Sequence, residues 1–427
     1  MIPPDPGARR AILDAAASLE AKSVARLEAL VRHASTLGNE AGALDEMARN
    51  YESLGLAPFR VPTRPDALRD HPGFSPPLIP YDGRDNVAAI HAPREVRGRS
   101  LALQGHVDVV PEGAADLWLS PPYEPTIRDG RIYGRGAGDM KAGIVATLTA
   151  FEAIRLAGLA PAAPVQLQSV IEEECSGNGA LATMLALPRT DAVVIPEPGP
   201  GLAALYTAEV GVVWAWVTVT GRPVHVRDMH AGVNAIEACM RIVAAFKEYE
   251  MEANRAERVH AAFRGVNHPV NVNVGTLQGG EWNSSVPTRA TLGLRVGVMM
   301  GNTARAVRAD IERIVADAAR AMPSARVEVD YRGFTADPCV FDRESDICRL
   351  ARRCYAEASG GELRDYPATG LTDGRFFELY QDTRVACFGP DATEIHGIDE
   401  SVGLDSLHAV TRSIALLMAE WCGLERA

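Results

Sequence analysis

The chain has 427 residues, 47% of them hydrophobic, and a formal net charge of −12 at pH 7. This length is typical of two domains, and the apolar content excludes an intrinsically disordered chain. The acidic balance disfavours nucleic acid and anionic membranes as partners, because both attract basic surfaces.

The N-terminal region predicts helices followed by a loop. Apolar residues recur near helical spacing over 8–35, and a second helix is expected over 41–54, closed by Gly55. The stretch 61–82 is rich in Pro and Asp and is predicted to be a loop. The first residues lack a basic stretch followed by an apolar run, so we expect no signal peptide.

Short strands then alternate with helices. Strands are predicted over 100–104, 165–171, 192–195 and 385–388, and helices over 141–157 and 404–421. This alternation predicts an α/β fold with a mixed, mostly parallel sheet and helices on both faces. No apolar run reaches about 18 residues, so no membrane-spanning helix is expected.

A different pattern runs through the middle of the chain. Strands are predicted over 212–220, 271–274, 290–298 and 327–331, and helices over 231–250 and 303–321. These elements predict a compact α+β unit over 211–333, inserted into a larger domain made of 1–210 and 334–427.

Five short segments carry residues that divalent metals bind. They are 105–108, 138–141, 172–174, 196–198 and 395–397. Together they supply two imidazoles and a surplus of carboxylates, which is the ligand set of a hydrolytic metal site. Most of the segments lie at or just past predicted strand ends, where α/β sheets bind their ligands.

The first two segments each have a simple physical interpretation. In an extended segment, His106 and Asp108 lie on the same side, so that His106 can bind a metal while Asp108 orients the imidazole. Asp139 follows a glycine-rich loop and can present one oxygen to each of two metals. A hydrogen-bonded histidine and a plain tight turn are the ordinary alternatives.

Three adjacent glutamates, Glu172, Glu173 and Glu174, follow a strand of buried character. Their mutual repulsion favours a nearby cation, although a solvated loop is the usual explanation of such a run.

Nucleophile-based chemistry fits poorly. No G-x-S-x-G segment is present, and carboxylates beside Cys175 would raise its pKa and blunt its reactivity. The seven cysteines are scattered without a C-x-x-C pair, which favours the cytoplasm over an oxidising compartment.

In these segments the chain resembles the metallopeptidase family of acetylornithine deacetylase, succinyl-diaminopimelate desuccinylase, aminoacylase and bacterial glutamate carboxypeptidase. The matching stretches are 105–111, 134–141, 173–174, 197–198 and 396–400. The resemblance spans about residues 85–420.

The resemblance implies two divalent metal ions, either Zn, Mn or Co, and assigns protein ligands to each ion. Asp139 would bridge the two ions. His106 and Glu197 would complete one of them, and Glu174 and His396 the other.

It also implies that Glu173 is the general base and Glu174 the ligand. In the alternative register, the same two roles fall on Glu172 and Glu173. The resemblance further implies that the Asp139–Met140 peptide is cis. The implied mechanism is attack by a metal-bound hydroxide.

The inserted unit corresponds to the family's lid, which often dimerises. The resemblance implies that His225 reaches a neighbouring active site to stabilise developing negative charge, while His230 is structural. It further implies substrate-binding roles for Arg295, as a carboxylate anchor at the end of its strand, and for Gly370, in the loosely matched segment 368–375.

The sequence therefore predicts a cytoplasmic, metal-dependent hydrolase that cleaves a C–N bond in a small molecule carrying a carboxylate, such as an N-acyl amino acid or dipeptide. One alternative is an aminohydrolase that releases ammonia from an amino-substituted aromatic acid, because the layout also resembles that of 5-nitroanthranilate aminohydrolase. A second alternative is a non-catalytic binding protein, for which missing ligands would be expected. The protein is expected to be a homodimer or a higher homo-oligomer through the lid.

Overall fold

Helices and strands alternate along residues 5–201 and 203–427, the part of the chain that the computed structural model describes. The helices are α1 (Pro6–Ser18), α2 (Glu20–Val31), α3 (Ala41–Ser53), α4 (Pro65–Leu68), α5 (Ala142–Leu156), α6 (Asn178–Ala186), α7 (Ala235–Ala253), α8 (Ala304–Arg320), α9 (Asp346–Ser359), α10 (Gly374–Tyr380) and α11 (Leu404–Cys422). The strands are β1 (Phe59–Pro62), β2 (Asp85–His91), β3 (Leu101–His106), β4 (Thr126–Arg128), β5 (Arg131–Tyr133), β6 (Leu159–Pro161), β7 (Val165–Val170), β8 (Ala192–Ile195), β9 (Gly199–Pro200), β10 (Ala204–Glu209), β11 (Gly211–Thr220), β12 (Val272–Gly279), β13 (Arg289–Val298), β14 (Arg326–Asp330), β15 (Thr335–Ala336), β16 (Cys339–Val340), β17 (Arg364–Ala368), β18 (Arg384–Cys387), β19 (Asp391–Thr393), β20 (Ser401–Gly403) and β21 (Leu424–Arg426).

The central sheet has the strand order β1-β2-β7-β3-β8-β18. Its last four strands are parallel, and β1 and β2 extend it as an antiparallel edge. Alternate residues of β3 point to opposite faces: Leu101 and Leu103 join the core under α5 and α11, and Ala102 joins the core under α6 and α10. The predicted fold class, a mostly parallel sheet with helices on both faces, is confirmed.

Two N-terminal predictions were wrong in part. The single helix expected over 8–35 is broken at Leu19, whose buried side chain lies between α1 and α2. On either side of this break, α1 and α2 both pack against α5. The loop expected over 61–82 begins inside β1 and includes α4, because Val61 pairs with Asn86 of β2 and Pro65 opens a helical turn.

Four strands of a second sheet lie within 211–333, the stretch predicted as the inserted unit, and the short β15 lies just beyond it. Its strand order is β12-β13-β11-β14, with β15 added beside β11. Helices α7 and α8 cover one face, where Val213, Ala215 and Val217 of β11 are buried. The alternate residues of β11 therefore lie on the opposite face, which α7 and α8 do not cover. The domain limits of 1–210 with 334–427, and of 211–333, stay a prediction.

The parallel strands bring distant segments of the chain to one edge of the sheet. Strand β3 ends at His106, β7 ends two residues before Glu172, and β8 ends two residues before Glu197. Carboxyl ends of neighbouring parallel strands meet at the same edge, so these polar residues are grouped there. None of the helices in residues 5–201 and 203–427 combines the length and apolarity needed to cross a membrane.

Candidate metal centre

Asp139 lies between two imidazoles. Its Oδ1 is 3.2 Å from Nε2 of His106, and its Oδ2 is 3.4 Å from Nε2 of His396. Each carboxylate oxygen thus faces a different histidine, although the two histidines are far apart in the sequence. The Asp139–Met140 peptide is cis, as the family resemblance implied.

Two further carboxylates complete the group. Glu174 Oε2 is 3.0 Å from His396 Nε2, and Glu197 Oε1 is 3.7 Å from His106 Nε2. Donor atoms of His106, Asp139 and Glu174 all lie within 4.8 Å of one another. The structure therefore brings all five predicted metal ligands together.

The charge of this cluster fits a divalent cation. In the described ranges, no Lys or Arg forms an ion pair with Asp139, Glu173, Glu174 or Glu197, so that only imidazoles face the four carboxylates. Buried carboxylates without a cation are costly. Histidine nitrogens and carboxylate oxygens are donors that Zn²⁺, Mn²⁺ and Co²⁺ accept.

Excess negative charge also governs the pKa values of the cluster. The charge of Glu174 raises the pKa of His396 to about 11, against the effect of burial. Burial opposes protonation of His106, but Asp139 and Glu197 nevertheless raise its pKa well above the usual value. Burial likewise raises the pKa of Glu173. The surplus of carboxylates thus favours positive charge at the two histidines and fits a site for cations.

The three adjacent glutamates have separate environments. Glu172 is buried and bonded away from the cluster: it accepts hydrogen bonds from Tyr81, from Arg84 at 2.5 Å and from Ser176 at 2.6 Å. Glu173 is only 6% exposed, and its Oε1 lacks a hydrogen-bond partner within the described residues. This arrangement favours Glu173 as the base and Glu174 as the ligand over the alternative pair Glu172 and Glu173.

Asp108 has different contacts from those expected. Its backbone carbonyl, 3.0 Å from Nδ1 of His106, is closer to the imidazole than its carboxylate, at 3.6 Å. The carboxylate instead accepts the backbone N–H groups of Glu173 at 3.3 Å and Glu174 at 3.1 Å. Asp108 therefore orients the imidazole mainly through its main chain and the two glutamates through its side chain.

Glu400 supports the glycine-rich loop, a contact that the sequence did not reveal. Its two oxygens accept N–H groups from Gly136, Gly138 and Asp139, each at 2.9 Å, and from Arg135 at 2.6 Å. The adjacent pair Asp399–Glu400 was visible in the sequence, but nothing local identified its partner some 260 residues away.

A cavity of about 580 Å³ opens onto the cluster. Arg295 and Gly370, the two predicted substrate-binding residues, both line it. Arg295 lies within β13 (Arg289–Val298) rather than at the end of the strand, and its Nη2 donates to the carbonyl of Thr369 at 2.9 Å. His225 is exposed and does not belong to the described cavity lining of its own chain.

Aromatic side chains in the cavity wall were missed at the sequence level. Trp214 and Trp216 of β11 and Phe334 line the cavity on one side, and Tyr206 and Tyr366 line it elsewhere. Two tryptophans at alternate positions of a predicted strand were a usable sign, because such residues share one face of the sheet.

Comparison with known proteins places the whole arrangement in one family. Residues 102–420 match the sequence profile described as peptidase family M20/M25/M40. Succinyl-diaminopimelate desuccinylase from Acidovorax ebreus is 25% identical over 389 residues, which cover 88% of this chain and 92% of the relative.

Solved structures have the same fold. The di-peptidase Dug1p of Saccharomyces cerevisiae superimposes with a TM-score of 0.79 at 13% identity, covering 97% of this chain and 99% of that one. The YXEP protein of Bacillus subtilis, described as a dinuclear metal binding peptidase from the M20 family, has a TM-score of 0.57 at 15% identity and covers 94% and 98%.

The profile match extends over most of the chain and includes every residue of the donor cluster. The predicted family and the predicted divalent-metal cofactor are thereby confirmed. The chain belongs to peptidase family M20/M25/M40 and is a metal-dependent hydrolase acting on carbon–nitrogen bonds.

Proposed function

We propose that this enzyme hydrolyses the amide bond of an N-acyl amino acid or dipeptide that carries a free carboxylate. The observation that carries this proposal is the position of Glu173, which lies in the cavity wall beside the predicted metal donors and in the same cavity as Arg295. Its carboxylate is buried, and one oxygen has no hydrogen-bond partner in the described part of the chain. The similarity to a desuccinylase supports an amide as the scissile group.

The donors divide into two sets around Asp139. The contact of His106 with Glu197, and that of His396 with Glu174, support one metal position on each side of the aspartate. When bound, two divalent ions would polarise the scissile carbonyl and acidify the attacking water. Imidazole and carboxylate ligands suit Zn, Mn and Co alike.

Glu173 is assigned the proton transfers. Its Oε1 is free to accept a proton from the attacking water and to return it to the leaving nitrogen, the usual double role of a general base. Asp108 holds the backbone N–H groups of Glu173 and Glu174, and so keeps the base and its neighbouring ligand in a fixed relation. Asp108 is therefore a positioning residue.

Arg295 is assigned to the carboxylate of the substrate. Among the described residues, its guanidinium makes one hydrogen bond, from Nη2 to the carbonyl of Thr369, which directs the side chain along the segment that contains Gly370. A guanidinium can bind a carboxylate with two parallel hydrogen bonds, which fixes the orientation of the substrate.

His225 is assigned to a second copy of the chain. It lies on the exposed surface of the proposed lid, 211–333, so it is available to the active site of a neighbouring subunit. We propose a homodimer formed through the lid, with each subunit supplying His225 as the oxyanion donor, and we propose that the enzyme works in the cytoplasm.

The test is the variant Glu173→Gln in protein reconstituted with each of the three metals. Replacing the base with an amide of the same shape is expected to lower kcat for N-acyl amino acids by about 10²- to 10⁴-fold. Metal content, measured by mass spectrometry, should be unchanged. Glu124→Gln, at an exposed site, is the matched control. Wild-type turnover by a metal-loaded Glu173→Gln enzyme would exclude the assignment.

Release of ammonia from an amino-substituted aromatic acid is the second candidate function. The aromatic lining provided by Trp214 and Trp216 favours it, because a flat ring suits such a wall. The same enzyme preparation can be assayed for ammonia and for released carboxylic acid, and the product formed distinguishes the two reactions.

A further inference from the structure

We infer that the site selects substrates in which an aromatic ring stands close to the carboxylate, with the ring against Trp214 and Trp216 and the carboxylate on Arg295. This inference deepens the proposed function and rests on it in one respect, the assignment of Arg295 to the substrate carboxylate. The ring preference itself follows from the architecture of the second sheet.

Strand register places Arg295 in the same row as Trp214. In β11, β13 and β12, Trp214 is opposite Arg295, which is opposite Asn273. Directly opposed residues of antiparallel strands point to the same face of a sheet. The other face is covered by α7 and α8, so this row faces the cavity.

In the next row of paired residues across these strands, Gly293 has no side chain, and Trp216 covers the space. Trp216 is opposite Gly293, which is opposite Thr276. A side chain at Gly293 would have its Cβ 2.4 Å from Oγ1 of Thr276 and 3.1 Å from the Trp216 ring, so the indole lies across the glycine. The Trp216 Nε1–H donates to the carbonyl of Arg332 at 3.3 Å, which holds the ring in that orientation.

Trp214 is also held in place. Its ring meets Phe334 edge to face, with centroids 5.4 Å apart and planes at 85°. The ring also lies so close to Gly333 that a Cβ there would be 2.4 Å from it. Both tryptophans therefore present fixed aromatic surfaces and lose little conformational entropy when a ligand binds.

Aromatic residues outside the second sheet extend this lining. Tyr206 and Tyr366 meet edge to face with centroids 5.1 Å apart. The hydroxyl of Tyr206 donates to the carbonyl of Pro198 at 2.8 Å, so its polar group is already paired within the protein. A cavity of about 580 Å³ lined in this way accommodates one aromatic ring together with a carboxylate and the scissile group.

The test compares two carboxylic acids that differ only in the ring, 3-phenylpropanoate and 3-cyclohexylpropanoate, binding to the full-length, metal-loaded protein. Aromatic stacking predicts tighter binding of the phenyl compound, by roughly 2- to 12-fold in Kd measured by calorimetry. Trp216→Leu and Trp214→Leu should each reduce the ratio of the two Kd values towards one. Trp282→Leu, at a site that is 74% exposed and outside the cavity lining, should preserve it.

Equal affinity of the wild type for the two acids overturns the inference, as does an unchanged ratio in both cavity variants. Trp216→Phe keeps an aromatic ring and should retain part of the preference, which separates stacking from loss of folding. Binding does not require turnover, so a ring preference without any amide hydrolysis would reject the proposed function and leave the ring preference intact.

Two amide substrates then locate the ring relative to the carboxylate. N-acetylphenylalanine carries the ring on the amino-acid side, next to the carboxylate, and benzoylglycine carries it on the acyl side, across the scissile bond. Hydrolysis of N-acetylphenylalanine at least several-fold faster than its cyclohexyl analogue supports the inference. Equal or faster hydrolysis of the cyclohexyl analogue, or a ring preference confined to the benzoylglycine pair, contradicts it.

Discussion

The adjacent glutamates of the run 172–174 differ in their hydrogen-bond partners, although their residue type is the same. Glu172 is enclosed by Tyr81 and Arg84, whereas one oxygen of Glu173, beside the predicted metal donors, has no hydrogen-bond partner among the residues that the structure describes. The acidic run was visible in the sequence, but the partners that separate its members lie more than 85 residues earlier in the chain. Burial and pairing, rather than residue type, assign the chemical role of each carboxylate.

Glu209, a buried carboxyl outside the metal centre, makes stability depend on pH. Its Oε1 accepts the hydroxyl of Thr372 at 2.6 Å, while Oε2 has no partner in the described part of the chain. Burial raises its pKa from 4.5 to about 8. The folded state therefore retains a proton that the unfolded state has lost, and the associated stability declines as pH rises from 4.5 to about 8.

Glu209→Gln cannot ionise and should remove this pH dependence. Relative to the wild type, the variant is expected to gain stability between pH 5 and pH 9, by at most about 5 kcal/mol. Urea unfolding at the two pH values, with the same metal loading, measures the difference. Glu124→Gln should show no such change. If the free energy of unfolding differs between Glu209→Gln and the wild type by the same amount at both pH values, the pH dependence does not come from Glu209.

At the scale of elements, one close contact connects a helix to the loop of a predicted metal ligand. Helix α5 begins three residues after Asp139, and at Gly143 it approaches the carbonyl of Pro196, the residue before Glu197. A Cβ at Gly143 would lie 2.0 Å from that oxygen. The absence of a side chain at Gly143 therefore allows the loops that carry Asp139 and Glu197 to converge.

Gly143→Ala should separate these loops and weaken metal binding. An effect of about 10- to 100-fold on metal affinity is expected, the range observed when the supports of metal ligands are disturbed. Competition with a fluorescent chelator measures the affinity. Gly361→Ala, at an exposed glycine with its nearest neighbouring atom 3.5 Å from the new Cβ, is the control. If both variants bind metal like the wild type, the contact at Gly143 does not position Glu197.

At the scale of the whole molecule, the proposed dimer makes each active site depend on two chains. His225 lies outside the cavity of its own chain, whereas Glu173 lies inside it. A subunit lacking His225 and a subunit lacking the base would then be inactive alone but complementary together, because a two-fold dimer exchanges equivalent residues.

Mixing His225→Ala with Glu173→Gln subunits after reversible dissociation tests this dependence. Half of the dimers would be mixed, and each mixed dimer would have one complete site, so activity should recover to about a quarter of the wild type. Light scattering should report a dimer for all proteins. Recovery that does not exceed the sum of the two separate variants would refute the exchange of His225 between subunits.

The sequence by itself determined the elements and residue types of the site. Strand β8 has the predicted bounds, and His106 and Glu197 stand at or just past strand ends as the alternation implied. These features are encoded locally, because hydrophobic period and turn residues act over a few positions. The break at Leu19 escaped prediction, since its cause is packing against a distant helix.

Only the tertiary structure decided which partners each residue meets. Glu400 supports a loop some 260 residues earlier, and register across β11 and β13 places Trp214 beside Arg295. Such contacts depend on how strands pair and how sheets face each other, and no short stretch of sequence contains that information. The metal chemistry was therefore readable from local motifs, whereas the placement of the two tryptophans and Arg295 in one cavity wall was decided by strand pairing.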